Sequence, residues 1–318
     1  MIRHVLITGA AGFIGSNLAD DLLKSGIKVS GIDNFDPFYD RSIKEANILR
    51  AMANELYELH EGDIRDSVFV NHCFESLDPD IVIHLAAKAG VRPSLSDPAA
   101  YYDVNVMGTL NILGAMKKHG IKKMLFASSS SVYGNNKKIP FSESDNVDRP
   151  VSPYAASKKA GELLCHTFHH LYKMDIFCLR FFTVYGPRQR PDLAINKFTR
   201  AILNDNEITV YGDGTTSRDY THIDDIIQGI RMAIYKLQGF DIFNLGESKT
   251  ISLNRLVSIL EQYTGKKARK QYMPLQEGDV FQTYADIGRA RSMLGYAPAV
   301  EFESGISNYI QWYRNSNE

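Results

Sequence analysis

The chain has 318 residues, 36 Lys+Arg against 37 Asp+Glu for a net charge of −1, and 44% hydrophobic residues. That composition is ordinary for about two folded domains and excludes a disordered chain. The balanced charge gives no electrostatic footprint for nucleic acid or an anionic membrane, so neither is an expected partner. Cys73, Cys165 and Cys178 are odd in number and far apart. They offer neither a disulfide framework nor metal-ligand spacing, and read as small buried hydrophobes in a reducing compartment; no metal is expected.

The N-terminal apolar run is too short for a signal-peptide core of ~7–15 residues. No stretch approaches the ~18 apolar residues of a membrane span. A soluble, cytoplasmic protein is expected. Short apolar runs at His4–Ile7, Lys28–Ile32, Tyr57–His60, Ile81–Leu85, Met124–Ala127 and Ile176–Leu179 read as buried parallel strands. Helical patterns lie between them at Gly12–Ser25, Ser67–Ser76, Ala100–His119 and Pro153–Tyr172. Gly26 and Gly120 sit at C-terminal caps, and Asp66 and Ser152 at N-caps. The alternation predicts an α/β fold, a doubly wound parallel sheet of the Rossmann type, with strand C-termini gathered on one edge.

Beyond about residue 185 the segments shorten and Gly and Pro become frequent. Strands are expected at Thr209–Tyr211 and Ile242–Leu245, and helices at Ile223–Lys236, Leu253–Tyr263, Gly288–Leu294 and Phe302–Tyr313. The expected division is a first domain over 1–181, rejoined by 220–246, and a smaller mixed α/β lobe from 182–219 and 247–318.

Thr8-Gly9-Ala10-Ala11-Gly12-Phe13-Ile14-Gly15 follows the first strand and opens a helix. Gly9 permits a tight turn, Gly12 a close backbone approach to a pyrophosphate, and Gly15 close helix–strand packing. The helix N-terminus presents oriented N–H groups to the anion. The spacing is GxxGxxG, a variant of the usual fingerprint, and a packing turn without ligand is the alternative. Asp33 ends the second strand, where a carboxylate can accept from ribose hydroxyls and repel a 2′-phosphate. NAD is therefore expected over NADP. Asp63 and Ile64 after the third strand could edge an adenine. The small residues of Leu85-Ala86-Ala87-Lys88 after the fourth let a cofactor lie against backbone. Asn105 is polar in an apolar helix, and reads either as a cofactor contact or as a satisfied core amide.

Tyr154 and Lys158 stand at i and i+4, on one helix face. A phenol titrates near ~10, too high for a base at neutral pH, but a nearby ammonium favours phenolate. Tyr154 could then take a hydroxyl proton while the adjacent carbon yields a hydride. Ser128-Ser129-Ser130-Ser131 ends the fifth strand, and hydroxyls there can bridge such a base to a substrate hydroxyl.

These motifs resemble the extended short-chain dehydrogenase/reductases of the nucleotide-sugar epimerase/dehydratase family. The likeness runs end to end, through TGAAGFIG, Asp33-Asn34, GDI, HLAA, SSVYG, SPYAASK, RFFTVYGPRQRPD, SRDYTHIDD and EGDVFQTYAD. Within the family the RFFTVYGPRQRPD segment is most similar to UDP-glucuronate 4-epimerases; galactose epimerases usually carry Asn at Thr183. Dehydratases resemble one another in TDEVYG and decarboxylases in SEVYG. The acidic positions of those motifs are Ser130 and Ser131 here, which leads away from elimination and decarboxylation.

The resemblance implies Ser129 as the catalytic hydroxyl beside Tyr154 and Lys158. It adds Phe13, Ile14, Asn34, Ser128 and Phe181 to the cofactor set, which Tyr154 and Lys158 join. It places Arg218 at a UDP diphosphate, Val210 at uracil, and Gln276 and Asp279 at ribose and phosphate. Arg190 is a candidate for a hexuronate carboxylate, since guanidinium pairs with carboxylate as a fork; a solvated loop charge is the alternative. Thr183 and Ser130 could add hydroxyl donors, and Arg92 could face the sugar or the diphosphate. A homodimer joined by the helices Ala100–His119 and Pro153–Tyr172 is implied as well. The expected activity is NAD-dependent 4-epimerisation of a UDP-hexuronate through a transient 4-keto sugar. The alternatives are a 4-epimerase of a neutral UDP-hexose or UDP-N-acetylhexosamine and, remotely, a non-catalytic NAD-binding regulator.

Overall fold

The structure, a computed structural model, describes residues 2–274 and 280–316. Contacts divide it into two compact units: 1–135 with 145–180 and 230–243, and 136–144 with 181–229 and 244–318.

The first unit is built on a sheet of β1 (His4–Thr8), β2 (Lys28–Asp33), β3 (Tyr57–Glu61), β4 (Ile81–His84), β5 (Lys123–Ser129), β6 (Asp175–Phe181) and the strand Phe240–Leu245. Their order is Phe240–Leu245, β6, β5, β4, β1, β2, β3. β1 lies parallel between β2 and β4, with Leu6 opposite Ser30 and Val82. The direction of winding reverses between β1 and β4, and in open α/β sheets ligands bind beyond the strand ends at such a point. The strands are apolar on both faces because helices cover both: Leu6, Ile7, Val82, Ile83, Met124 and Leu125 are essentially inaccessible.

The helices begin and end where local chemistry dictates. Asp66 caps Ser67–Leu77, its carboxylate accepting from the Val68 and Phe69 N–H groups, and Asp78 closes the helix at φ 42°. Ser152 caps Pro153–Tyr172 with Pro153 in the first turn. Gly120 ends Thr109–His119 in the left-handed region.

Several elements differ from expectation. The span read as one helix, 100–119, is a short helix Pro98–Tyr102, a π segment Asp103–Gly108 and the helix Thr109–His119. A helix Arg41–Met52, capped by Asp40, fills a stretch that carries no expected element. It has no clean apolar stripe. It buries Lys44 and Asn47 beside Ile48 and Ala51, with Lys44 donating to the Asp36 carbonyl (2.9 Å) and Asn47 to the Ala11 carbonyl (3.1 Å).

The second unit has its own core, with Ile195, Phe198, Val210, Leu256, Leu260, Ile306 and Tyr309 buried together. Its strands pair in twos. Thr183–Tyr185 runs parallel to Tyr220–His222, Glu207–Tyr211 parallel to Arg269–Met273, and Ser217–Arg218 antiparallel to Ile251–Ser252. The helix Ala194–Leu203 was not expected from the sequence. No helix among the described residues is long and apolar enough to cross a membrane.

Candidate active site

The glycine turn after β1 has no room for side chains, because backbone lies where each Cβ would stand. Gly9 sits at φ +73°, and a Cβ there would lie 2.8 Å from the Ala86 nitrogen. A Cβ at Gly15 would lie 2.2 Å from the Gly9 carbonyl oxygen. Any side chain at Gly15 would therefore lift the helix off the turn. Gly12 is the N-cap, and Phe13 and Ile14 open the helix. Asp33 is buried at the end of β2, its two oxygens accepting from the Ala11 and Phe35 N–H groups at 2.9 Å each. The carboxylate is thus aimed and held by the backbone of the turn itself. Asn47, which sequence reasoning missed, secures the same turn through Ala11.

Asn34 donates to Asp63 (2.8 Å), so the ends of β2 and β3 are tied. Arg65 grips the same carboxylate at 2.8 and 3.0 Å, the main reason the Asp63 carboxyl is held down to about 2. Ile64 is buried and packs against Gly108. Leu85, Ala86, Ala87 and Lys88 are half-buried, and the Lys88 ammonium lies 3.3 Å from Asp36.

The π segment holds this loop. Asn105 accepts from the Lys88 N–H (2.8 Å) and donates to the Lys88 carbonyl and the Ser157 hydroxyl (2.9 Å each). Both amide hydrogens are thereby taken by the protein, which favours the core-amide reading of Asn105 over a direct cofactor contact. Thr109 donates to the Asn105 carbonyl at 2.6 Å. Its oxygen must then accept from His84 Nε2 (3.0 Å), which leaves His84 Nδ1 to accept from Thr8 (2.6 Å). Burial, and then the charge of Lys158, push the His84 imidazole down to about 3. The ring is a neutral strut between β1, β4 and the π segment.

Tyr154 and Lys158 share the helix Pro153–Tyr172. Lys158 is buried, donates to the Ala127 carbonyl (2.8 Å), and its ammonium stands 5.2 Å from the Phe126 ring centre. Burial pushes its pKa down to about 8, so it remains mostly charged at neutral pH. Ser129 accepts from the Ser131 N–H (3.2 Å) and donates to the Ser131 hydroxyl (3.1 Å), which orients it. Ser130 is half-buried at the start of the turn Ser130–Tyr133.

Ser128 is placed differently from its neighbours. It is buried and donates to Glu162 at 2.6 Å. Glu162 in turn takes the Arg180 guanidinium as a fork (2.8 and 2.9 Å), and Arg180 also reaches the Tyr133 hydroxyl (3.0 Å). Burial alone would raise the Glu162 carboxyl, but Arg180 turns the balance to a net lowering. This buried ion pair beneath the end of β5 was missed by sequence reasoning. Arg180 within Cys178-Leu179-Arg180-Phe181-Phe182 is the signal for it.

The remaining candidates lie at the edge of the first unit or in the second. Arg92 is exposed on the helix Val91–Ser96, and Phe181 is buried at the end of β6. Thr183 is half-buried, its N–H donating to the Asp219 carbonyl (3.0 Å). Arg190 presents Nε and Nη2 to Asp192 as a fork at 2.9 and 2.7 Å. Val210 packs its side chain into the core. Arg218 is half-buried and donates to the Ser217 carbonyl (2.9 Å) and the Phe281 carbonyl (3.3 Å). Gln276 and Asp279 lie outside the described residues. Asp219 has no expected role, yet it is fully buried and gathers the N–H groups of Glu247, Ser248 and Ala285. Among the described residues no cluster of His, Cys, Asp and Glu is arranged for a metal ion.

Comparison with known proteins adds a chemical setting. The family model described as GDP-mannose 4,6 dehydratase matches residues 6–309. The chain is 43% identical to a UDP-glucuronate 4-epimerase of Thermodesulfobacterium geofontis, covering 99% of this chain and 97% of that one. The crystal structure of a Bacillus cereus UDP-glucuronic acid 4-epimerase in complex with UDP-glucuronic acid and NAD superposes with a TM-score of 0.93 at 38% identity, covering 98% and 99%. A UDP-glucose 4-epimerase of Thermotoga maritima, solved with UDP-glucose, gives 0.91 at 32% identity, covering 99% and 100%.

Proposed function

The chain belongs to the GDP-mannose 4,6 dehydratase family of extended short-chain dehydrogenase/reductases, and from that premise we propose that it interconverts UDP-glucuronate and UDP-galacturonate at carbon 4, with NAD as cofactor. The observation that carries the reading is the serine run at the end of β5. Residues 129–131 are all serines, so a dehydratase or decarboxylase lacks its carboxylates, while the Tyr154–Lys158 pair is complete.

The glycine turn fits NAD. A Cβ at Gly12 or Gly15 would press on the Gly9 carbonyl, so the bare backbone is what the turn presents to a pyrophosphate. Asp33 receives the ribose hydroxyls and repels a 2′-phosphate. Bound NAD supplies a hydride acceptor and, once the sugar has turned over, the hydride donor. Tyr154 takes the proton of the 4-hydroxyl as phenolate, a form the Lys158 ammonium favours. Ser129 bridges the phenol and the sugar oxygen by turning its one hydroxyl hydrogen away from Ser131. The proton returns by the same path to the oxygen on carbon 4, and because the hydride is given back to that carbon as well, the cycle is redox neutral. The 4-keto uronate is a β-keto acid that can lose carbon dioxide. Charge-assisted bonds to its carboxylate oppose that loss, and Arg190, Thr183 and Ser130 are the groups proposed to make them.

The Arg190–Asp192 fork favours a second reading, a 4-epimerase of a neutral UDP-hexose, because part of the guanidinium is already neutralised. The two readings separate cleanly. A hydrogen bond to a charged group contributes ~1.5–3 kcal/mol, roughly 10–200-fold in rate at ~1.4 kcal/mol per factor of ten. Arg190→Ala should lower turnover of UDP-glucuronate by about tenfold more than turnover of UDP-glucose, the lower end because of Asp192. Asp192→Asn should sharpen the preference for the uronate. Equal losses on both sugars would favour the neutral hexose.

A homodimer through Ala100–His119 and Pro153–Tyr172 completes the reading. Its support is the exposure of Tyr102, Met107, Leu163 and Leu171 on those helical segments. Cytoplasmic location is part of the same proposal.

A further inference from the structure

Tyr101 is buried on the short helix before the π segment, and its ring and its hydroxyl reach different parts of the site. Its ring meets the ring of Tyr154 edge to face, with centroids 6.2 Å apart and planes at 81°. Its hydroxyl donates to the Ala89 carbonyl at 3.0 Å. Ala89 belongs to the loop that follows β4 and carries Ala86, Ala87 and Lys88. Just beyond it Gly90 adopts φ +109°, a conformation open to glycine and strained for other residues. One side chain therefore touches both the proposed base and the proposed cofactor wall.

We infer that Tyr101 is a positioning residue with two separate handles, its ring restraining the Tyr154 phenol and its hydroxyl restraining the cofactor loop; the inference rests on the epimerase reading above. The ring restricts Tyr154, since edge-to-face packing resists rotation and tilt of the partner ring. The hydroxyl fixes the loop. The two handles can be cut separately. Tyr101→Phe removes the tie to Ala89 and keeps the ring. Tyr101→Leu removes both.

The experiment uses the full-length protein loaded with NAD. It measures kcat and KM for the UDP-sugar, the rate of NAD release, and the melting temperature of each variant. Tyr101→Phe should release NAD several-fold faster with kcat within twofold. Tyr101→Leu should release NAD equally fast and also lose about ten- to a hundredfold in kcat, since a misplacement of ~1 Å can cost about 10²-fold, with KM within twofold. The inference is overturned if Tyr101→Leu keeps kcat within twofold, if Tyr101→Phe loses as much kcat as Tyr101→Leu, or if Tyr101→Phe leaves NAD release unchanged. A general loss of structure would lower the melting temperature and raise KM together, and that pattern also overturns it. NAD release needs no sugar. If no UDP-sugar is turned over, the epimerase reading falls, and the release rates still decide the role of Tyr101.

Discussion

Tyr154→Phe should reduce turnover by about 10²–10⁴-fold, the usual loss when a positioned general base is removed. The ring stays, so its packing against Tyr101 stays with it. Lys158 still donates to the Ala127 carbonyl, and the glycine turn and Asp33 are untouched. The variant should therefore bind NAD and melt as the unmodified protein does. Steady-state rates, calorimetric NAD binding and a thermal melt check the three statements. A Phe variant with near-normal turnover would remove Tyr154 from the chemistry.

Glu162→Ala should destabilise the fold by about 3–5 kcal/mol, because it leaves the Arg180 charge buried without its carboxylate. Both members of the pair are 1% exposed by side chain. Ser128 would lose its acceptor at the same stroke. The pair itself need not be a net source of stability, since two charges are removed from water to make it. The double change Glu162→Leu with Arg180→Met should accordingly be much milder than Glu162→Ala alone. Urea unfolding of the three proteins measures the difference. A loss below about 1 kcal/mol for Glu162→Ala would mean that water reaches Arg180 and the ion pair is not sealed from solvent.

The sheet and its crossovers were legible in the sequence because buried parallel strands read as short apolar runs and the helices between them carry caps. Asp66 and Ser152 cap as their residue types suggest. The helix Arg41–Met52 was not legible, because it docks through Lys44 and Asn47 and no apolar stripe marks it. The π segment was hidden for another reason. Its residues suit an α-helix equally well, and the wider turn is fixed by tertiary bonds from Asn105 and Thr109 to Lys88, Ser157 and His84. In the second unit, strands as short as Ser217–Arg218 and Ile251–Ser252 are below the length at which alternation carries a signal.

The site divides the same way. Gly9, Gly12, Gly15, Asp33, Tyr154 and Lys158 are proposed for the site from residue type and spacing alone. The groups that aim them do not. Glu162 and Arg180 meet from a helix and a strand, Asn47 reaches the glycine turn from a helix the sequence does not mark, and Asp219 organises backbone from three segments. Arg190 shows the converse. Its residue type suggests a carboxylate partner, and the partner present in the structure is Asp192, two residues on.

The central claim is that carbon 4 of a hexuronate is oxidised and reduced within one bound cycle, with its hydrogen handed back. The most direct test incubates the NAD-loaded protein with UDP-glucuronate in deuterated water, without added reductant, and reads the sugars by nuclear magnetic resonance. The expected product is UDP-galacturonate that retains protium at carbon 4, with little UDP-pentose, because the hydride never exchanges with solvent and the carboxylate is held. Deuterium at carbon 4, UDP-pentose as the main product, or turnover of UDP-glucose with none of the uronate would contradict it.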